Sequence, residues 1–540
     1  MRVRSFKRGL AGSLIHLVVL AAVVRGGDTT PSAKPDELPP TPKGIEVLAR
    51  GPVHEAFASP TGDPLPTKAV ANKPPKPLDE MPPAEKPEGN VVWIGGYWAW
   101  DDERKDFLWV SGVWRTPPRD KQWIAGYWRE EGEQWQWVPG FWARATAEQE
   151  TKEVSYLPQP PATPEVAPPG RPPVADSFYV PGVWMWNPQA GNYAWRAGYW
   201  ARVQPGYVWV ADHYRWTPAG YIYVPGYWDL AVSRRGVLYA PVVVDPAVVT
   251  ASFYYTPAYA VSDTVVVDAL FVRPAYAHYY FGDYYGPTYA TMGYESVVVY
   301  SGRRYDSIIV YETWVHRSQP NWISLQINIF NGRSRGVLPV PPRTLVQQNT
   351  IVQQNITKVT NVTNVTNVTK NYNTTVLAPT TKIVAAKGLK TVPLNTATRE
   401  QAKQQAAAVQ QVAAQRTATE KPLPPGAPRQ ARVASLSVPK AQPVQPGFVA
   451  PKVSPQAARN VQAPKPPQPA PATHPTTTGV QPPARPTPNG AHPGFAPPGS
   501  HPPAQRAQSG KPPPGASRQS GRQPTPPSRR PPPKDKKEQR

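Results

Sequence analysis

One aromatic phrase recurs eight times along the chain and limits what it can fold into more than any other feature. It reads aromatic, usually aliphatic, variable, Gly, aromatic or Val, then Trp. The copies are WIGGYW at 93–98, WVSGVW at 109–114, WIAGYW at 123–128, WVPGFW at 137–142, YVPGVW at 179–184, WRAGYW at 195–200, WVADHY at 209–214 and YVPGYW at 223–228. Successive starts are 16, 14 and 14 residues apart in the first four and again in the second four, and the two sets are offset by 86 residues throughout. Such regularity marks the internal duplication of a four-unit module. The seventh unit departs from the phrase: Asp212 stands in place of Gly, and Tyr214 in place of the last Trp.

Aromatic and β-branched residues favour strands, and short Gly-containing repeats favour hairpins. Two readings of the x-Gly dipeptide are open. With the x-Gly dipeptide in a tight turn, Val138 faces Phe141 and Trp137 faces Trp142. Pro139 at the first central position suits type I or II turns, whose twist splays hairpin strands. The other turn of each unit lies in the polar stretch, such as Glu130-Glu131-Gly132-Glu133; the alternative at x-Gly is a continuous strand with a Gly bulge at that point. Both give an antiparallel meander. The two extra residues of the 16-residue units can preserve which face each Trp occupies. The expected fold is all-β: an antiparallel meander of short aromatic hairpin repeats in two tandem modules, with long disordered Pro-rich linkers and tail.

The phrases WVPGFW, YVPGVW and YVPGYW resemble the bacterial YXWGXW (WXXGXW) repeat family. The stretch VVWIGGYWAWDDERKDFLWVSGVW is similar to exported planctomycete proteins that carry this repeat. The resemblance covers residues 93–228. It implies export and an envelope setting, and no established activity, cofactor or catalytic residue. Two roles for the Trp ladder follow from its chemistry. Aromatics can knit together a thin sheet that lacks an aliphatic core. Alternatively Trp93, Trp98, Trp109, Trp114, Trp123, Trp128, Trp137, Trp142, Trp184, Trp195, Trp200, Trp209 and Trp228 form an exposed aromatic interaction surface that stacks on sugar rings or on another protein.

The rest of the chain divides by composition. Residues 1–27 carry Arg2, Arg4, Lys7 and Arg8 before an apolar run and then Gly26-Gly27, the pattern of a signal peptide. Residues 28–90 and 143–178 are Pro-rich and read as linkers flanking the modules at 91–142 and 179–228. Residues 229–345 form a Tyr-rich β region with a short helix. Strand-like runs there are Val242–Val244, Val265–Phe271 and Val297–Tyr300. Asp306 is placed to cap a helix reaching about Arg317, and the alternation of Ile323, Leu325, Ile327 and Ile329 before Asn331-Gly332 predicts a strand and turn. Residues 346–376 repeat Asn-Val-Thr-like triplets every three residues, a period of neither strand nor helix, and read as an extended linker or a fibrous stalk. Residues 377–420 hold an Ala/Gln-rich helix over 398–416. Residues 421–540 form a basic tail, with 33 of the chain's 75 Pro and 18 Lys/Arg against Asp535 and Glu538, so most of the formal net charge of +23 sits there. A polycationic tail attracts anionic polymers.

The chain has no Cys, which excludes disulfides, thiolate metal sites and a cysteine nucleophile. His278, Asp283 and His316 could be assembled into a metal site, but a Tyr-rich packed segment is the simpler reading. No phosphate-loop, HExxH or GxSxG motif is present. The expectation is an exported, non-enzymatic structural or adhesive repeat protein of the bacterial envelope. It would have no cofactor, and would bind cell-wall or matrix polysaccharide or another envelope protein, and anionic polymers through the tail. The alternatives are a glycan-binding module on the Trp ladder and a hydrolase with an unrecognised site.

Overall fold

Two consecutive aromatic units fold as one long hairpin, so eight units give four hairpins. In the first, strands Val92–Ile94 and Tyr97–Asp101 pair with Val113–Arg115 and Asp106–Val110. The second runs Lys121–Ile124 and Tyr127–Glu131 against Phe141–Arg144 and Gln134–Val138. The third and fourth repeat this over Ser177–Arg202 and Tyr207–Leu230. The structure is a computed structural model and describes residues 39–145, 150–165, 170–360, 375–422 and 430–439. The expected signal peptide, residues 361–374 of the triplet repeat and the tail beyond 439 lie outside the described residues.

The x-Gly dipeptide is therefore not the turn. Trp137 faces Trp128 and Trp142 faces Trp123, and the chain turns at Gly132, whose φ is +60°. The tight-turn reading fails because Pro139-Gly140 lies directly across from Ala125-Gly126 and interrupts both strands of the ladder at once. Two residues oppose two, so the register survives, and with it the face on which each aromatic sits. Every hairpin then carries two cross-strand aromatic pairs flanking the break. Their ring centroids are 5.2–5.6 Å apart; seven of the eight pairs meet edge to face, and Tyr214–Tyr223 is tilted. Pairs of this geometry add about 0.5–1.5 kcal/mol each beyond the area they bury.

The hairpins are short and narrow, and other described segments pack against them. Residues 39–90, expected as a linker, supply short strands and the fully buried Ala49, Val53, Ala56 and Phe57. Within the second expected linker, strand Glu150–Tyr156 pairs with Arg432–Val438, a strand inside the expected disordered tail. Proline-rich composition predicts that such segments cannot pair among themselves; it does not say whether other elements offer them a surface. The Tyr-rich region contributes the strand order Gly51–Pro52, His278–Phe281, Leu270–Arg273, Glu295–Ser296, and buries Tyr276, Tyr279, Tyr280, Tyr284, Tyr285 and Tyr294 in the main core.

Several expected strands are helices. Asp263–Asp268 is helical and only Leu270–Arg273 is extended. Val297–Ser301 is a single helical turn. Val265, Val266 and Val297 are wholly buried, and burial outweighs the small helix penalty of a β-branched residue. Trp322–Ser334 is a helix as well. Its alternating pattern contains a helical one: Ile323, Ile327 and Phe330 pack on the core while Leu325 is half exposed. The triplet segment begins as the helix Leu345–Thr360, where the side chain of Gln348 bonds the backbone of Val376 and Leu377. Two expected helices are present: Ser307–Val315, capped by Asp306 through the N–H groups of Ile308 and Ile309, and Thr396–Thr419.

Candidate functional site

The break between the paired units has a fixed local geometry. The first aromatic of one unit lies over the glycine of its partner unit. A Cβ on Gly140 would sit 2.4 Å from Cζ2 of Trp123, and one on Gly126 2.5 Å from Cζ2 of Trp137. The same relation joins Gly112 to Trp93, Gly96 to Trp109, Gly182 to Trp195, Gly198 to Tyr179 and Gly226 to Trp209. A side chain would displace the ring, so the glycine is required by close approach. With the ladder interrupted there, glycine N–H groups are left without strand partners. Buried donors must find acceptors elsewhere.

In each hairpin that acceptor is one carboxylate. Glu80 receives the N–H of Gly96 at 2.9 Å, the N–H of Gly112 at 3.0 Å and the Trp109 indole N–H at 3.1 Å. Glu55 receives the N–H of Gly140 at 3.0 Å and the Trp137 indole at 2.8 Å. Glu165 receives the N–H of Gly182 at 2.6 Å and the Tyr179 hydroxyl. In the fourth hairpin the acceptor is Asp212, which receives the N–H of Gly226 at 3.1 Å and the Tyr223 hydroxyl. The rule is the same four times: the glycine N–H and the first aromatic's N–H or O–H, both from one unit, converge on a carboxylate. Asp212 is the residue that makes the seventh unit irregular. It replaces the glycine because this hairpin carries its carboxylate within the repeat. Arg196, where the sixth unit lacks the usual aliphatic, reaches it at 2.6 Å.

Electrostatics differ among the clamps. Complete burial pushes the Glu80 carboxyl up to about 7, and its three N–H donors restrain the rise. Burial also acts to raise Asp212, but the Tyr223 hydroxyl, the Gly226 N–H and Arg196 outweigh it and hold the group below the usual carboxylate range. Behind the second clamp, the fully buried Arg416 donates to the carbonyls of Ala125 at 2.7 Å and Pro139 at 3.1 Å, and pairs with Glu420. One side of that break is thus held by a carboxylate and the other by a guanidinium.

The residues expected to form an aromatic surface separate by module. Trp93, Trp98, Trp109, Trp114, Trp123, Trp137 and Trp142 are buried in the core, and Trp128 is half-buried. That module therefore presents no open Trp face, because residues 39–90 and the helix Thr396–Thr419 lie against it. Trp184, Trp195, Trp200, Trp209 and Trp228 are half-buried, and Tyr199 beside them is exposed. His278, Asp283 and His316 do not converge: His278 bonds the Tyr97 hydroxyl, Asp283 faces Arg343, and His316 stacks on Trp322. No group of His, Asp or Glu among the described residues is arranged to hold a metal ion. A groove of about 710 Å³ runs between residues 60–65, Thr163, Glu165, Trp216 and Tyr300–Arg304. Its acids Asp63 and Glu295 are tied to Arg304 and Arg303, and Glu165 to the Gly182 N–H and the Tyr179 hydroxyl. The clamp carboxylates were missed by sequence reasoning. The available signal was the first position of the phrase, which in all eight units is Trp or Tyr, never Phe, and so always carries a donor.

A family described as WXXGXW repeat (2 copies) matches residues 90–115, 123–143, 178–201 and 205–229. Each match spans one hairpin, so the two copies the family describes are the two units that pair across one break. No curated protein and no solved structure matches the chain.

Proposed function

We propose that the chain is an exported, non-enzymatic structural or adhesive repeat protein of the bacterial cell envelope. The observation that carries this reading is the use made of its polar chemistry. The donors of the aromatic repeats close onto the chain's own carboxylates, and buried ion pairs lock separate repeats together. Arg115 of the first hairpin binds both oxygens of Asp229 of the fourth at 2.6 Å, with Arg235 at 3.2 Å. Groups used in this way hold a shape, which supports a structural role. The basic tail adds electrostatic attachment to anionic polymers, and the pattern of residues 1–27 supports export.

A second reading, glycan binding, is favoured by the half-exposed aromatic side of the third hairpin. The cross-strand pairs Trp184–Trp195 and Trp186–Tyr193 share a face there, and Trp200 is half-buried in the adjoining strand. Co-sedimentation of the full chain with insoluble cell-wall polymer, with and without Trp195→Ala and Trp200→Ala, with and without residues 440–540, and at low and high salt, separates the readings. Salt-sensitive retention lost with the tail supports electrostatic attachment; salt-resistant retention lost with the two Trp supports stacking. No retention on polymer and no membrane or wall association in cell fractions overturns the adhesive reading.

A further inference from the structure

The third hairpin is filled differently from the first two. Glu80 and Glu55 are buried; Glu55 lies in the continuously buried run 51–58, and Glu80 is anchored by the buried Leu78, although Lys76, Pro77 and Asp79 before it are exposed. Glu165 sits at the end of a surface segment, Pro158-Gln159-Pro160-Pro161-Ala162-Thr163-Pro164-Glu165, in which no residue is buried. Each contact that seats the segment on the hairpin is one a free peptide could make. Tyr193 donates its hydroxyl to the Pro158 carbonyl at 2.6 Å, and Trp184 its indole N–H to the Ala162 carbonyl at 3.0 Å. Gly182 and Tyr179 take the terminal carboxylate. Aromatic donors reading the free carbonyls of a proline-rich strand, next to a pocket for one charged side chain, are a known way to recognise an extended peptide.

The first hairpin repeats the arrangement with its glutamate buried. Trp98, at the last position of its unit as Trp184 is of its own, donates to the Lys76 carbonyl at 2.9 Å. The chain then runs Pro77-Leu78-Asp79-Glu80 into the clamp. The pairing of a last-position indole with a carbonyl three or four residues before a clamped glutamate thus occurs twice, on two different segments.

We propose that the third hairpin is a recognition site for a proline-flanked glutamate segment, filled in cis by residues 158–165, and that in trans it takes the same segment of a second copy of this chain. The chain supplies both halves of the contact, and among the described glutamate clamps this is the one whose glutamate and whose whole segment escape burial. Tethering gives the cis segment a high effective concentration, so exchange needs high local density or an emptied hairpin. The inference concerns what the hairpin binds and does not depend on the compartment or on the glycan reading.

The test uses two full-length variants. In one, residues 158–165 are replaced by a Gly/Ser segment of equal length, which empties the hairpin. In the other, Gly182→Ala places a Cβ 2.3 Å from Trp195 and 2.8 Å from the Glu165 carboxylate, which closes the site and frees the segment. Each alone is expected to sediment as the wild type does, and an equimolar mixture to form a 1:1 complex. A synthetic peptide of residues 157–166 is expected to bind the emptied variant saturably, read by Trp fluorescence. Its Glu→Gln form should bind about 10-fold more weakly, the loss expected for a charge-assisted contact. Failure of the peptide to bind an emptied variant whose circular dichroism matches the wild type overturns the proposal. Equal binding of the Gln peptide overturns it as well, even if the Gly182→Ala chain does not fold.

Discussion

Removing the carboxylate of Glu80 tests the clamp at its most enclosed point. Glu80→Ala leaves three donors, the Gly96 and Gly112 N–H groups and the Trp109 indole, buried without an acceptor. Each unsatisfied buried donor costs about 1–3 kcal/mol, and relaxation at a shared site makes the sum less than additive, so a loss of about 3–6 kcal/mol is expected. Titration gives a second, independent magnitude. Burial raises the Glu80 pKa from 4.5 to about 7. A group raised on folding contributes its stability fully below its unfolded pKa and loses it as pH rises through the folded value. Over that window of about 2.5 pH units the loss is about 3 kcal/mol. The assay is denaturant unfolding of the full chain at pH 4.5–8, followed by Trp fluorescence, beside Glu80→Gln, which cannot titrate. The advantage of wild type over Glu80→Gln should shrink steadily from pH 4.5 to pH 7 and then level off. An advantage constant with pH refutes the electrostatic account; a cost below about 1 kcal/mol for Glu80→Ala refutes the clamp.

Other outcomes follow from the same geometry. Gly95→Ala meets only the Ala406 methyl at 3.5 Å and should unfold at the wild-type denaturant concentration, whereas Gly96→Ala puts a Cβ 2.3 Å from the Val110 carbonyl and should cost about 1–3 kcal/mol. Asp212→Gly restores the glycine of the repeat phrase yet strands the Gly226 N–H and the Tyr223 hydroxyl, so by calorimetry it should destabilise the chain, by about 1–3 kcal/mol. Arg416→Met removes a fully buried guanidinium from Glu420 and should cost about 3–5 kcal/mol in denaturant unfolding; in Arg416→Met with Glu420→Gln the loss should be partly recovered. Burial lowers the His54 pKa from 6.5 to about 4, so its neutral form contributes stability above pH 6.5 that is lost as pH falls through 4. Wild type should lose stability against His54→Gln across that acid window.

The repeat phrase determined the hairpins without help from the rest of the chain. Its period set strand length, its duplication set their number, and its cross-strand aromatics needed only local pairing to meet. Even the choice of Trp or Tyr at the first position was visible, because those aromatics carry a donor and Phe does not. The helices over 307–315 and 396–419 were legible from a cap and from propensity, both local properties. The polar turn around Gly132 was legible too, but the role of x-Gly was not, because it serves a turn and an interrupted ladder equally well until the opposite strand is known.

Tertiary structure decided what fills the hairpins. Glu55, Glu80 and Glu165 stand in proline-rich segments at no constant distance from the units they serve, so no periodicity singles them out. A carboxylate becomes a partner of a glycine N–H only when folding brings the two within about 3 Å. The helices at 263–268 and 297–301 were decided the same way, by the burial of valines whose own preference is extended. Local pattern settled which strands form, since neighbouring residues make them. Long-range proximity settled which charges they hold and which of those charges remain at the surface.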